Sequence, residues 1–390
     1  MLEVFRVFLK LGLTSFGGPI AHIGYFRHEL VERRKWIDEA GYADLVALCQ
    51  FLPGPASSQV GFAMGILRAG GLPGGLAAWL GFTLPSAAIL LAFGLGAGAA
   101  TGPLAEGILH GLKLVAVAVV AQAVLGMARA LTPDRNRATI ALGAVAITVA
   151  LAGAWSQVAA IACGALAGLL LCRDLRDEVR GELRFPISPR AGIGALAAFA
   201  VLLFALPLLA VNGNAAALLA GAFFRSGALV FGGGHVVLPL LHAEVVTPGW
   251  VSESSFLAGY GLAQAVPGPL FAFAAYLGAV QTPSPNGLAG AAIALVALFL
   301  PGLLLVTGVL PFWDRLRRLA AAQAAIKGAG AAVVGILGAA LYSPVWTSAV
   351  LSPRDFFLAL AGFVLLTSWK APPVVVVVLL ASAGALTGLS

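Results

Sequence analysis

The chain has 390 residues, of which 60% are hydrophobic and 10% charged, and its mean hydropathy is +0.99. Soluble domains carry about 25% charged residues, so a water-soluble fold of this length is excluded and a lipid bilayer is the expected surrounding. The formal net charge of +7 would suggest nucleic acid in a soluble protein. Here the arginines sit in short loops between apolar runs, as positive-inside topology requires, and no nucleic-acid partner is expected.

In chain order, Met1 to Leu13 mixes Glu3, Arg6 and Lys10 with apolar residues and reads as retained rather than as a cleaved signal. Phe5–Phe16 is a short apolar segment ending at Gly17-Gly18-Pro19. Tyr42–Leu52 ends at Pro53-Gly54-Pro55, and Ala56–Leu67 follows. Longer runs occupy Leu104–Leu131, Ala191–Val211, Gly287–Leu310 and Leu319–Tyr342. Each is long enough for a hydrocarbon core of about 30 Å, which takes about 20 helical residues. Shorter pairs are Ala138–Ala154 with Gln157–Cys172, and Asp355–Ser368 with Pro372–Leu389. Cys49, Cys163 and Cys172 lie in or beside apolar runs without metal-ligand spacing. Neither a disulfide framework nor a metal is expected, and no cofactor.

The broken pattern recurs. Phe16-Gly17-Gly18 returns as Phe231-Gly232-Gly233, an offset of 215 that also carries Lys10 onto Arg225, Gly12 onto Gly227 and Glu29 onto Glu244. At an offset of 214, Trp36 falls on Trp250, Glu39 on Glu253, Gln50 on Gln264 and Pro53-Gly54-Pro55 on Pro267-Gly268-Pro269. Pro85 then matches Pro301, and His110-Gly111 matches Lys327-Gly328. Motifs in one order over this span indicate an internal duplication.

The loop Arg27–Lys35 carries four Lys or Arg, whereas its counterpart Ala243–Trp250 carries none. Equivalent loops of opposite charge character predict halves of inverted topology. The threading works if the broken segments are helical hairpins; the first of them can also be read as one kinked span. The expected fold is an all-α polytopic membrane protein of two inverted homologous halves with broken helices. The expected units are 1–172, a charged cytoplasmic linker with a connecting helix over 173–213, and 214–390. Assembly as a homodimer is compatible with this plan.

Pro-Gly-Pro reads as a helix stop followed by a helix start, since proline is tolerated where its missing N–H needs no partner and glycine permits the turn. In lipid, the freed N–H groups must be buried in protein or face a wet cavity. They sit at the positive end of the next helix, and two such breaks in inverted halves point to an anion site near the midplane. The alternative is a plain tight turn. After Pro55, Ser57, Ser58 and Gln59 add hydrogen-bonding groups, whereas Leu270 to Phe273 add none, so the site is expected to be asymmetric.

Gly17, Gly18, Gly232 and Gly233 permit either close ligand approach or close helix packing. Lys10 and Arg225 are matched cations in apolar stretches, read either as partners for an anion or as snorkelling side chains. His22 and His235 do not align and read first as hydrogen-bonded interior residues, with His235 kept as a candidate ligand. Glu29, Glu244 and the interior Asp44 are candidates for a coupling proton. Asp44 could equally cap a helix or pair with Arg33 or Arg34. The chain lacks nucleotide-binding and metalloprotease motifs, and paired catalytic groups at membrane depth are missing, so a membrane-embedded enzyme is the weaker class and a transporter the stronger.

Lys10–Gly24 (KLGLTSFGGPIAHIG), Arg33–Pro55 (RRKWIDEAGYADLVALCQFLPGP) and Gly259–Pro269 (GYGLAQAVPGP) closely resemble the chromate ion transporter family, in its long form of two homologous halves. The resemblance covers nearly the whole chain. It implies export of chromate across a bacterial inner membrane, coupling to an ion gradient and chromate resistance as the phenotype. Sulfate, similar in shape, is an alternative substrate, and an oxyanion channel an alternative mode. Gly234 stands where the first half has Pro19, a departure that bears on whether the halves bind substrate alike.

Overall fold

The structure is a computed structural model that describes residues 1–97, 102–151, 154–172, 185–231, 234–316 and 319–388. Among them every regular element is helical. In the first half these are α1 (Leu2–Thr14), α2 (Gly18–Phe26), α3 (Glu39–Phe51), α4 (Ala56–Ala69), α5 (Leu72–Ala97), α6 (Pro103–Leu131), α7 (Arg135–Ala150) and α8 (Ala154–Leu171). Helix α9 (Pro189–Val211) connects to α10 (Ala215–Ala228), α11 (Val237–Leu241), α12 (Glu253–Ala263), α13 (Phe273–Val280), α14 (Gly287–Val309) and α15 (Trp313–Leu316). The chain ends with α16 (Ala320–Ala340), α17 (Thr347–Ala349), α18 (Pro353–Thr367) and α19 (Pro373–Gly388).

Five stretches are long and apolar enough to cross a bilayer by length and composition: Leu72–Gly96, Pro103–Leu131, Pro189–Val211, Gly287–Leu316 and Ala320–Ala349. Four correspond to runs expected from the sequence. The fifth, Leu72–Gly96, was not among them. Pro85 lies inside α5 and its counterpart Pro301 inside α14, and both helices continue past the proline. A proline costs one ladder bond, and packing of the surrounding helix can carry that loss.

The chain is a polytopic all-α membrane protein of two inverted homologous halves, and the duplication is visible in packing. Helix α1 lies on α5, and α10 lies on α14. Both contacts depend on matched glycines. A Cβ on Gly12 would stand 2.6 Å from the Phe82 carbonyl oxygen, and one on Gly227 would stand 2.1 Å from that of Leu298. The chain also forms a π-helical turn at the same place in each half, at Arg27–Arg33 and at His242–Val246.

The two halves interlock rather than abut. Helix α6 packs against α12, α18 and α19 of the second half, while α16 packs against α7 and α8 of the first. Each half thus completes its core with the other's last helices. Helix α9 is peripheral, packed on α10 and α14, with Phe204 and Leu208 facing outward. The charged linker expected over 173–190 lies outside the described residues as far as position 184.

Candidate functional site

Each of the two Pro-Gly-Pro breaks lies against the residue that precedes the Phe-Gly-Gly sequence of the opposite half. The Gly54 N–H donates to the Val230 carbonyl at 2.7 Å, and the Gly268 N–H donates to the Ser15 carbonyl at 2.9 Å. Val230 and Ser15 precede the two Phe-Gly-Gly sequences, so the bonds are equivalent under the 214–215 offset. Both glycines take left-handed backbone, with φ of 124° at Gly54 and 102° at Gly268, a region that costs a side chain strain. Gly54 rests on Gly302 and Gly268 on Ser86, which are again equivalent positions. Gly17 and Gly18 are left-handed too, with φ of 97° and 77°. Gly232 and Gly233 lie outside the described residues.

One of the two crossings borders a small, partly open cleft. Gly17, Gly18, His235, Gln264 and Gly268 line it, and Pro373 of α19 closes one side. Five residues chosen from the sequence therefore share one space. His235 is oriented by Tyr260, whose hydroxyl lies 2.7 Å from Nδ1, and Pro267 and Pro269 flank the glycine that forms the wall.

Ser57, Ser58 and Gln59 are not brought to that cleft. They form the buried first turn of α4, behind Pro53, Gly54 and Pro55. Ser57 Oγ lies 3.4 Å from His22 Nδ1. Gln59 Nε2 donates to the Pro53 carbonyl at 2.9 Å and the Gly302 carbonyl at 3.0 Å, bracing the break against α14.

The matched cations each have a matched carboxylate. Lys10 Nζ lies 3.5 Å from Glu29 Oε2, and Arg225 donates to both oxygens of Glu244 at 3.0 and 2.6 Å. Each cation therefore reaches an anion only by leaving or sharing its carboxylate. Glu29 is nearly buried and also accepts from Arg33 at 3.0 Å and Arg34 at 2.7 Å. The arginines considered for Asp44 are thus engaged by Glu29. Asp44 instead accepts from Trp313 Nε1 at 3.2 Å.

The aligned carboxylates Glu39 and Glu253, expected to be ion-paired or interfacial, have matched partners that sequence reading did not name. Arg27 donates to Glu39 at 2.7 Å, and at the equivalent positions His242 lies 2.8 Å from Glu253. The signal was present, because Glu39 and Glu253 align and Arg27 falls on His242. Trp79 and Thr83 of α5 were also missed. Both face inward beside the central crossing, and no motif marks them.

The chromate transporter profile matches residues 2–169 and 217–386. The chain belongs to the chromate transporter family. It is similar to a chromate transport protein of Pseudomonas aeruginosa, 31% identical over 395 residues, with 97% of this chain and 90% of the relative covered. A chromate transport protein of Cupriavidus metallidurans is 30% identical over 383 residues, covering 94% and 88%. A probable chromate transport protein of Synechococcus elongatus is 29% identical over 398 residues, covering 98% and 94%. No solved structure matches the chain. Members of the family are transporters, which agrees with a centre built from backbone breaks rather than from catalytic pairs.

Proposed function

We propose that this protein is a secondary transporter that exports chromate across the inner membrane of a bacterium and confers chromate resistance. The observation that carries the reading is the reciprocal crossing of the breaks, Gly54 to Val230 and Gly268 to Ser15. Interrupted helices whose breaks pair reciprocally across the two halves turn the positive ends of the helices that follow them toward the protein interior, which suits a tetrahedral oxyanion. Gly17, Gly18, His235, Gln264 and Pro267 to Pro269 form the open side of the route. Gly54, Pro55, Ser57, Ser58 and Gln59 form the closed side, and the sequence match alone adds Gly232 and Gly233 as candidates.

In this reading the halves 1–172 and 214–390 move against each other, and the basic loop Arg27–Lys35 faces the cytoplasm. Lys10 and Arg225 exchange their carboxylates for the passing anion. A proton released to Glu29 or Glu244, or taken by Asp44, couples the step to the proton gradient. The test is labelled chromate flux into everted vesicles, with the proton gradient and the membrane potential collapsed separately. Accumulation that one ionophore abolishes is the expected result. Uptake no greater than in vesicles lacking the protein refutes export.

A further inference from the structure

The cleft beside the Gly268 crossing holds an imidazole with one nitrogen engaged and the other free. His235 comes from the single helical turn Gly234–Val236, and its Nδ1 lies 2.7 Å from the Tyr260 hydroxyl. Among the described residues Nε2 has no hydrogen-bond partner, and it reaches to 4.0 Å from where a Cβ on Gly18 would stand, on the opposite wall. No charged side chain among the described residues lines the cleft. An anion there meets neutral groups alone, so what Nε2 presents decides whether His235 attracts or repels it.

Tyr260 settles that question. Its side chain is fully buried on α12, edge-on to Phe273 of α13 with ring centroids 5.9 Å apart, so the hydroxyl is held in one place. A buried hydroxyl hydrogen is rarely left without an acceptor. Gln264, one turn on along α12, acts on Tyr260 as a donor through its amide nitrogen. The acceptor left for the phenolic hydrogen is His235 Nδ1. A neutral imidazole shares one hydrogen between its two nitrogens, so an accepting Nδ1 leaves that hydrogen on Nε2. The opposite tautomer would turn the Nε2 lone pair on the oxygens of an anion.

We propose that Tyr260 is a positioning residue that fixes His235 in the tautomer with hydrogen on Nε2, and that this N–H donates to one oxygen of the anion in the cleft. The opposite wall supplies further donors, the N–H groups of Gly17 and Gly18 at the start of α2, for which a helix has no acceptor of its own. A tetrahedral oxyanion carries oxygens on every side and can accept from both walls. The device belongs to one half. His235 falls on Ile20 at the offset of 215 and Tyr260 on Val46 at 214, both apolar. The first half thus brings main-chain N–H groups to the cleft, and the second brings an oriented side chain. This role rests on the reading of the cleft as part of the oxyanion route.

The test uses the full chain, labelled with heavy nitrogen at histidine and held in nanodiscs, with chromate as the probe. Nitrogen NMR reads which ring atom bears hydrogen, and the His235 signals are those missing from His235→Gln. The wild type is expected to show hydrogen on Nε2 and a bare, hydrogen-bonded Nδ1, with the Nε2 signal moving as chromate is added. In Tyr260→Phe the ring should populate both tautomers, and chromate binding should weaken about three- to tenfold, the net worth of one hydrogen bond. In the His235→Gln background, where no tautomer remains to be fixed, Tyr260→Phe should weaken binding no further. Hydrogen on Nδ1 in the wild type, wild-type affinity in Tyr260→Phe, or an equal added loss in the His235→Gln background (a packing role only) overturns the proposal. Chromate flux into everted vesicles separates it from export. Flux with an Nε2 signal that ignores chromate sinks the role of His235 and leaves export standing. An Nε2 signal that follows chromate without any flux sinks export and leaves that role standing.

Discussion

Helices α3 and α12 descend from one sequence and hold equivalent places before the two Pro-Gly-Pro breaks, yet they are packed very differently. Phe256, Leu257, Ala258 and Tyr260 of α12 are at most 1% exposed, and the helix lies along α6. Helix α3 packs on α4 and on the π-helical turn of its own half, has no comparable contact with α16, and leaves Ala43, Ala47 and Gln50 exposed. Meanwhile the crossings at Gly54 and Gly268 are nearly superimposable in their bonding. The centre is symmetric and the flanking arms are not.

The largest effect should separate the two arms. A Cβ at Gly261 would stand 2.1 Å from the Leu112 carbonyl oxygen. Gly261→Leu is therefore expected to prevent α12 from docking on α6 and to remove folded protein from the membrane fraction. Its counterpart Ala47→Leu sits on the exposed face of α3 and should leave membrane levels unchanged. Equal loss in both would mean that α3 docks as tightly as α12.

Next come the breaks, where the comparison predicts equality. Ala at Gly54 or Gly268 must adopt left-handed backbone, and its Cβ would come within 2.9 Å of Gly302 Cα or Ser86 Oγ. Strain of about 1–3 kcal/mol is expected for each, read as similar falls in apparent melting temperature in detergent. A large effect at one break alone would show that the crossings are not equivalent.

The smallest difference concerns the paired cations. Arg225 makes two hydrogen bonds to Glu244, whereas Glu29 retains Arg33 and Arg34 when Lys10 is gone. Arg225→Ala should therefore destabilise by about 1–3 kcal/mol, the cost of an orphaned partner, and Lys10→Ala by less than about 1 kcal/mol. Both are expected to lower chromate protection of cells at normal membrane levels. Protection equal to wild type in both variants removes the cations from the route.

Much of this arrangement was legible in advance. Glycine and proline have backbone consequences that do not depend on context, so the breaks at Gly17, Pro53 and Pro267 could be read from spacing alone. Side chains were harder. The cleft assembles Gly17 and Gly18 from one half with His235, Gln264 and Gly268 from the other, and no local pattern joins positions more than 200 residues apart. Leu72–Gly96 was not among the expected runs, yet it is a continuous helix through Pro85, packed on α1 and α4. Trp79 and Thr83 carried no signal at all, since no motif marks a polar group facing inward from an apolar helix.

The sequence by itself determined the solvent, the helical class, the duplication and the places where the backbone is interrupted. Each follows from a property of residues in a row: hydropathy, recurrence, and the missing side chain or missing N–H. Only the tertiary structure decided which break faces which, that Lys10 and Arg225 are held by Glu29 and Glu244, and that α12 is buried along α6 while α3 leaves one face exposed. These are distances between chain segments far apart in sequence. They are set by close packing of helices whose small residues permit contact in one arrangement and whose larger residues forbid it in others.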